Sequence, residues 1–180
     1  MQRLVLGILF AGMACSCSNS EEKLQKFAAG KEMQNETGRD VTLVYSDSAV
    51  IKVKIAAPLM IRTPGENPVT DMPEGIRALF FNANGQQSSI LTANRAVQYP
   101  SKGIMEAHGN VVVVNELGDT LYTEKLVWVE KEERVYSDQY VRIIRPDEII
   151  YGDGLESNQN FTKYKILNIR GTIALNDELE

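Results

Sequence analysis

Residues 110–128 read NVVVVNELGDTLYTEKLVW, which is two apolar runs on either side of a Gly118-Asp119 turn signal. The run at 111–114 is apolar at every position, and such a run is typical of a strand that is covered on both faces. A glycine beside an aspartate, placed between two such runs, favours a tight turn. The stretch therefore predicts an antiparallel hairpin.

The same pattern recurs along the chain at intervals of about 30 residues. Each unit begins with a short triplet: LTA at 91–93, LYT at 121–123 and IYG at 150–152. The second halves of the units are also alike: NVVVV at 110–114, YVRII at 140–144 and GTIAL at 171–175. Two strands per repeat predict stacked antiparallel hairpins that bury a shared core when layered. An ordinary antiparallel sandwich could show the same spacing by chance.

Strand signals continue on both sides of this region. Ile51, Val53 and Ile55 alternate with Lys52 and Lys54, which predicts a half-buried strand. Turn signals recur roughly every 8–12 residues; they include 84–85, 100–103, 146–147 and 152–154. Residues 62–74 carry three prolines and are predicted to be an irregular excursion. The sequence thus predicts an all-β domain over residues 41–180.

The N-terminus has the layout of a secretory signal peptide. Arg3 supplies a positive charge, residues 4–13 are apolar, and small residues follow. The apolar stretch is too short to span a bilayer by itself. Residues 1–16 are therefore predicted to be removed; the alternative is a buried helix of the folded domain.

Both cysteines of the chain, Cys15 and Cys17, lie at the end of this segment. The domain itself has none, so disulfides cannot staple it. The segment resembles a bacterial lipobox, which implies acylation of Cys17, with Cys15 as the alternative. Several acyl chains on one cysteine give stable membrane anchoring. Residues 17–40 are polar and are predicted to be a lipidated tether, or a short capping helix.

The residues of the domain offer little catalytic chemistry. Its one histidine, His108, lies in a turn-like His-Gly-Asn sequence, and without a domain cysteine a Cys/His metal site is excluded. No phosphate-binding or dinucleotide motif is present, and Gly152 and Gly154 indicate a tight turn. The net charge of −5 disfavours nucleic acid as a partner. We therefore expect no enzyme activity, no metal and no cofactor.

Six short motifs occur in an order and spacing that resemble the LptC family of lipopolysaccharide-export proteins, in the form it takes in Bacteroidetes-type bacteria. They are Val44–Ser48 with Ala57-Pro58, Met72–Ile76, Leu91–Ala93, Gly109–Val113, Leu121–Trp128 and Tyr136–Asp138. The resemblance covers about residues 41–175. It implies an open, twisted β-jellyroll of stacked antiparallel strands, which agrees with the repeat.

The resemblance also implies a role and partners. Lipopolysaccharide, extracted by an inner-membrane ABC transporter, would pass its acyl chains through an apolar groove to the next jellyroll of a periplasmic bridge. The domain would then sit at the periplasmic face of the inner membrane. Better-studied relatives are held there by a transmembrane helix, whereas this chain carries the lipidation signal. The alternative is an envelope lipoprotein that binds glycan or acts as a scaffold, although the single tryptophan, Trp128, lies within an apolar strand.

The candidate groove residues lie at alternate positions of the strands, on the face expected to point inward. Each of them could instead serve only to fill the core. They are Ile51, Val53, Ile55, Leu79, Phe81, Val111, Val113, Leu126, Trp128, Val141, Ile143, Leu167 and Ile169.

Stacked hairpins leave an unpaired strand edge at each end, which invites strand addition. The last strand is predicted to pair with the next jellyroll through Asn168, Ile169, Arg170, Gly171, Thr172 and Ile173. The strand near 50–56, which Lys52 and Lys54 could protect, would face the transporter. Gly171 would permit close backbone approach or a bulge; alternatively it relieves a bend, and residues 176–180 cover the edge.

Overall fold

A computed structural model describes residues 34–174, which form twelve strands of one antiparallel sheet. The predicted signal peptide, Cys15, Cys17 and the C-terminal residues 175–180 lie outside this range. The strands are β1 (Glu36–Asp47), β2 (Val50–Thr63), β3 (Val69–Met72), β4 (Ile76–Phe81), β5 (Gln87–Ala93), β6 (Arg95–Tyr99), β7 (Ile104–Asn115), β8 (Thr120–Val129), β9 (Arg134–Ile144), β10 (Glu148–Asn158), β11 (Tyr164–Ile166) and β12 (Ile169–Ala174). Over these residues, no helix is long and apolar enough to cross a membrane.

The twelve strands make nine layers, because three pairs of short strands lie end to end. β3 and β4 both pair with β2, β5 and β6 both pair with β7, and β11 and β12 both pair with β10. In sheet order the layers are β1, β2, β3–β4, β5–β6, β7, β8, β9, β10 and β11–β12. The chain is therefore a meander in which each layer is an antiparallel neighbour of the next.

Most layers bend near their middle, and the bends line up across the sheet. The register shifts within β7, β8 and β10 at this level. Backbone hydrogen bonds join neighbouring bends: the Asn94 N–H donates to the Gly109 carbonyl over 3.0 Å, and the Leu167 N–H donates to the Gly154 carbonyl over 2.9 Å. Bulges bend strands locally, so a row of them folds the whole sheet. We call this line the crease.

The crease divides the sheet into two half-sheets that face each other across the core. Half-sheet A contains segments 53–56, 77–80, 89–92, 112–115, 120–123, 141–144, 148–152 and 169–174. Half-sheet B contains segments 61–63, 69–72, 95–99, 104–108, 127–129, 134–136, 155–158 and 164–166. The fold is an open, twisted β-jellyroll, as the sequence predicted.

The 30-residue repeat is explained by the strand register. Leu91, Val113, Leu121, Ile143 and Ile150 are successive direct partners across β5, β7, β8, β9 and β10. All five are buried, so one apolar row crosses half-sheet A on its inner face. Because a one-residue slip would turn this row outward, the repeat length fixes the register.

Two of the segments predicted to be turns or loops contain strand instead. Residues 62–74 are not a continuous excursion, because β2 extends to Thr63 and β3 pairs with β2 and β6 within the segment. Gly152 and Gly154 lie inside β10 at the crease and not in a turn. A Cβ on Gly152 would collide with Ile166, and the φ of +118° at Gly154 suits glycine. The glycines allow β10 to bend closely against the neighbouring chain.

Candidate functional site

The space between the half-sheets is the candidate site, and most predicted groove residues line it. Eight of them are buried there: Val53, Ile55, Val111, Val113, Leu126, Trp128, Val141 and Ile143. Ile51 is half-buried at the start of β2. The sequence pattern thus identified much of an inner face that is apolar in both half-sheets.

Four predicted groove residues lie elsewhere. Leu79 pairs directly with Lys54, and Phe81 lies under the Lys54 ammonium, 5.5 Å from ring centroid to Nζ, so both face outward. The inward parity of β4 is Ile76, Ala78 and Phe80. The outward parity carries Arg77 beside Leu79 and Phe81, whereas the inward parity is wholly apolar, so Arg77 is the signal that marks the outer face. The pairing of Ala78 with the buried Leu91 agrees with this assignment.

The other two lie near the end of the sheet. The Leu167 side chain covers the crease, because a Cβ on Gly154 would lie 3.3 Å from it. Ile169 is 63% exposed. The chain turns between β11 and β12 at Asn168, which has a positive φ of 45°, and this turn interrupts the inward parity.

Aromatic rings fill the interior where the strand ends farthest from the crease meet. Phe80 of half-sheet A contacts Trp128 edge-on at 6.4 Å and Phe161 at 5.7 Å between ring centroids. Tyr45 also meets Trp128 edge-on, at 5.4 Å. The strand ends of half-sheets A and B that lie farthest from the crease meet along a line. We call this line the seam. Sequence reasoning missed both rings. Phe80 lies on the face of β4 that was not chosen, and Phe161 lies in the turn after β10.

Polar contacts join the two half-sheets along the same seam. The Tyr164 hydroxyl donates to Asp119 Oδ2 over 3.0 Å and accepts from Arg145 Nε over 2.8 Å. Asn115 Nδ2 donates to the Phe161 carbonyl over 3.4 Å. Burial raises the pKa of Tyr164, and burial, reinforced by the Glu130 carboxylate, raises the pKa of Tyr45 to about 12. The seam is therefore closed by neutral phenols at ordinary pH.

The closed seam leaves little empty space inside. Two enclosed apolar cavities, beside Trp128 and beside Phe161, have volumes of about 20 Å³ each. Such a volume holds about one water molecule. The side chains of the two half-sheets therefore fill most of the interior.

The two outer layers of the sheet are β1 and β11–β12. Among residues 34–174, β12 pairs only with β10, and its Ile169 and Ile173 are 63% and 50% exposed. No heavy atom lies within 4 Å of a Cβ placed on Gly171, so close approach does not explain this glycine; the register shift lies beside its partner Tyr151. At the other end the prediction was wrong, because β1 covers β2, and Lys52 and Lys54 lie in an inner layer.

No catalytic arrangement forms around His108. It lies in β7 at the crease and not in a turn, and its Nε2 is 3.0 Å from Glu106 Oε2. Within the described range, no three histidine, cysteine or acidic side chains converge on a possible metal position.

A creased antiparallel sheet with an apolar interior between its halves defines a β-jellyroll protein. The chain matches the family described as lipopolysaccharide-assembly, LptC-related, over residues 6–174. It therefore belongs to the LptC-related family, whose description is lipopolysaccharide assembly.

Comparisons with individual proteins add less. The chain matches no curated protein sequence. Among solved structures it is similar to LptH of Pseudomonas aeruginosa, described as the LptA-homologous periplasmic component of the conserved lipopolysaccharide transport device. The identity is 11%, the TM-score is 0.38, and the match covers 78% of this chain and 86% of that one.

Proposed function

We propose that this protein carries the acyl chains of lipopolysaccharide between its half-sheets and passes them from an inner-membrane ABC transporter to the next jellyroll of a periplasmic bridge. The observation that carries the proposal is the apolar row from Leu91 to Ile150, which crosses five strands without a charge. Exposed acyl chains cost about 25 cal/mol per Å² in water, so transit requires a continuous apolar path.

Loading then exchanges protein contacts for lipid contacts. When the seam opens, the rings of Phe80, Trp128 and Phe161 separate, and acyl chains occupy the space between them. The chain supplies no nucleotide-binding motif, so the energy for this step comes from the transporter. Trp128 Nε1 is buried and has no hydrogen-bond acceptor among the described residues, and an acyl ester or hydroxyl would provide one.

The two outer layers are suited to the handover. Strand edges with free backbone groups add a strand from a partner, and such pairing would line up successive interiors. We assign the β12 edge to the next jellyroll and the β1 edge to the transporter side. An acylated Cys17 would hold the domain to the periplasmic face of the inner membrane. The tether predicted over residues 17–40 would then end earlier than predicted, because β1 begins at Glu36.

Photocrosslinking in cells tests this function with neighbouring residues on opposite faces. Val113 and Ile143 are buried inside, whereas Val114 and Ile144 lie on the outer face. A crosslinking amino acid at 113 or 143 should capture lipopolysaccharide, and one at 114 or 144 should not. Equal capture from both faces, or none from the inner face, would contradict transport through the interior.

A further inference from the structure

The outer face of the sheet carries a second concave surface, beside the crease where β8, β9 and β10 run together. A cleft of about 510 Å³ opens there. Small-molecule sites usually have volumes of about 300–1,000 Å³. The side chains that matter in it are Tyr122, Glu124, Gln139, Tyr140, Arg142 and Tyr151. The thickness of the sheet separates this cleft from the apolar interior.

Three tyrosines and an arginine form one wall of the cleft. Tyr122, Arg142 and Tyr151 are direct partners across three strands. The Arg142 guanidinium lies 4.4 Å from the Tyr122 ring centroid, and Tyr140 stacks on Tyr151 at 6.2 Å and 22°. Tyr140 is nevertheless 51% exposed. Stacking holds this ring in place, so it presents a rigid aromatic surface to solvent.

Hydrogen-bonding groups of both kinds stand beside the rings. Glu124 Oε2 accepts the Asn110 N–H over 3.3 Å, which holds the carboxylate at the cleft. Gln139 Nε2 donates to Asp138 Oδ1 over 2.9 Å, and its own carbonyl oxygen remains an acceptor. Arg142 forms no ion pair with a carboxylate of residues 34–174. The cleft therefore offers charged acceptors and donors around an aromatic surface.

We propose that this cleft binds a saccharide. A sugar ring has an apolar C–H face that can pack on Tyr140, and its hydroxyls each donate and accept hydrogen bonds. Glu124 and Gln139 would accept from these hydroxyls, and Arg142 would donate to them. A purely apolar ligand would bury the Glu124 and Arg142 charges without an opposite charge to pair with either, which is costly. No sequence motif predicts this aromatic surface, because its three tyrosines lie on three separate strands.

Titration calorimetry on the full-length lipoprotein in detergent tests the proposal with two saccharides. One is the oligosaccharide released from lipopolysaccharide by mild acid, and the other is a soluble disaccharide fragment of peptidoglycan. Saturable binding of either supports the proposal, and the one that binds identifies the source. Tyr140→Ala should lower that affinity about fivefold or more, and Arg142→Gln should lower it similarly.

The variant Tyr140→Ala keeps the backbone carbonyl that accepts the Thr123 hydroxyl over 3.0 Å, so the crease should remain intact. Tyr136→Ala is the matched control: it lies on the same strand under the Arg134 guanidinium, 5.0 Å from the ring centroid, and outside the cleft. Its affinity for saccharide should match the wild type.

Two results would overturn the saccharide site. One is the absence of saturable binding for both saccharides; loss of a protein partner from pull-downs of Tyr140→Ala would then reassign the cleft to protein docking. The other is an equal loss of affinity in Tyr140→Ala and Tyr136→Ala. Lipid crosslinking from Val113 does not involve this cleft, so it reports on acyl transport independently.

Discussion

The ring of Phe80 meets the indole of Trp128 edge-on, 6.4 Å between centroids, and this contact joins the two half-sheets. Phe80 is 3% exposed, whereas its neighbour Phe81 lies on the outer face. Replacing Phe80 with alanine removes contacts to two rings and leaves a cavity, so the free energy of unfolding should fall by about 3–5 kcal/mol. Urea denaturation measures the change.

Phe81→Ala is the control for this substitution, because it removes the same atoms from the other side of the strand. Phe81→Ala should lower the free energy of unfolding by less than about 1.5 kcal/mol. Similar losses at 80 and 81 would mean that the half-sheets are not held together through Phe80.

Tyr45 should make the protein sensitive to alkaline pH. Its pKa is raised to about 12 in the folded protein, against about 10 in the unfolded chain. The unfolded chain therefore loses the proton first, and stability present below pH 10 is lost as the pH rises toward 12. Water reaches part of this ring, so we expect at most about 2 kcal/mol.

The variant Tyr45→Phe keeps the ring on Trp128 and removes the titrating hydroxyl. Urea midpoints at pH 9 and pH 11.5 should differ less for this variant than for the wild type. An identical difference in both proteins would assign the alkaline loss to other groups.

Gly152 should be far more sensitive to replacement by alanine than Gly171. A Cβ on Gly152 would collide with the Ile166 side chain and lie 2.7 Å from the Leu167 carbonyl oxygen, whereas one on Gly171 meets nothing within 4 Å. Gly152→Ala should lower the free energy of unfolding by about 1–3 kcal/mol, and Gly171→Ala should change it by about 0.5 kcal/mol or less. Thermal unfolding that ranks the two variants in the reverse order would contradict the close packing at the crease.

The two outer strands should bind different partners. Gly171→Arg places a long charged side chain on β12, and Val44→Arg does the same at a half-exposed position of β1. A charge on an edge strand discourages strand addition. In pull-downs, Gly171→Arg should weaken the complex with the next jellyroll and Val44→Arg the complex with the transporter, without lowering the melting temperature of either variant much.

Each edge variant is the control for the other. If both variants lose the same partner, the two edges do not divide the handover between them. If both retain their partners and only stability falls, the edges have a structural role and the handover occurs elsewhere.

Acylation should depend on Cys17. Both cysteines of the chain lie at the predicted cleavage site, so a fatty-acid probe should label the wild type and spare Cys17→Ala. Cys15→Ala is the matched control and should label normally. Labelling that survives Cys17→Ala and disappears with Cys15→Ala would move the anchor to Cys15, and a wild type without label would refute the lipoprotein prediction.

The repeat predicted the architecture well, because strand register is a sequence property. Leu91, Leu121 and Ile150 mark equivalent positions in three layers, and their spacing becomes one row in the sheet. Glycine-containing turns at 84–85 and 118–119 were also predicted correctly.

The crease was the feature that local patterns could not predict. Gly152 resembles a turn residue in sequence, yet it occurs inside a long strand whose bend depends on β11. Leu79 and Phe81 were wrongly assigned to the inner face, because the signal from Arg77, which shares their parity, was overlooked. The tyrosine cleft depends on three strands brought side by side, which no single window of sequence contains.

The meander also sets the reach of the domain. Neighbouring layers of a sheet lie about 4.8 Å apart, so nine layers span about 40 Å along the stacking direction. One 30-residue unit contributes two layers, or about 10 Å. Adding or deleting a whole unit would keep the antiparallel alternation and the apolar row while changing the distance that the interior bridges. The number of hairpin units therefore sets how far the apolar interior extends along the stacking direction.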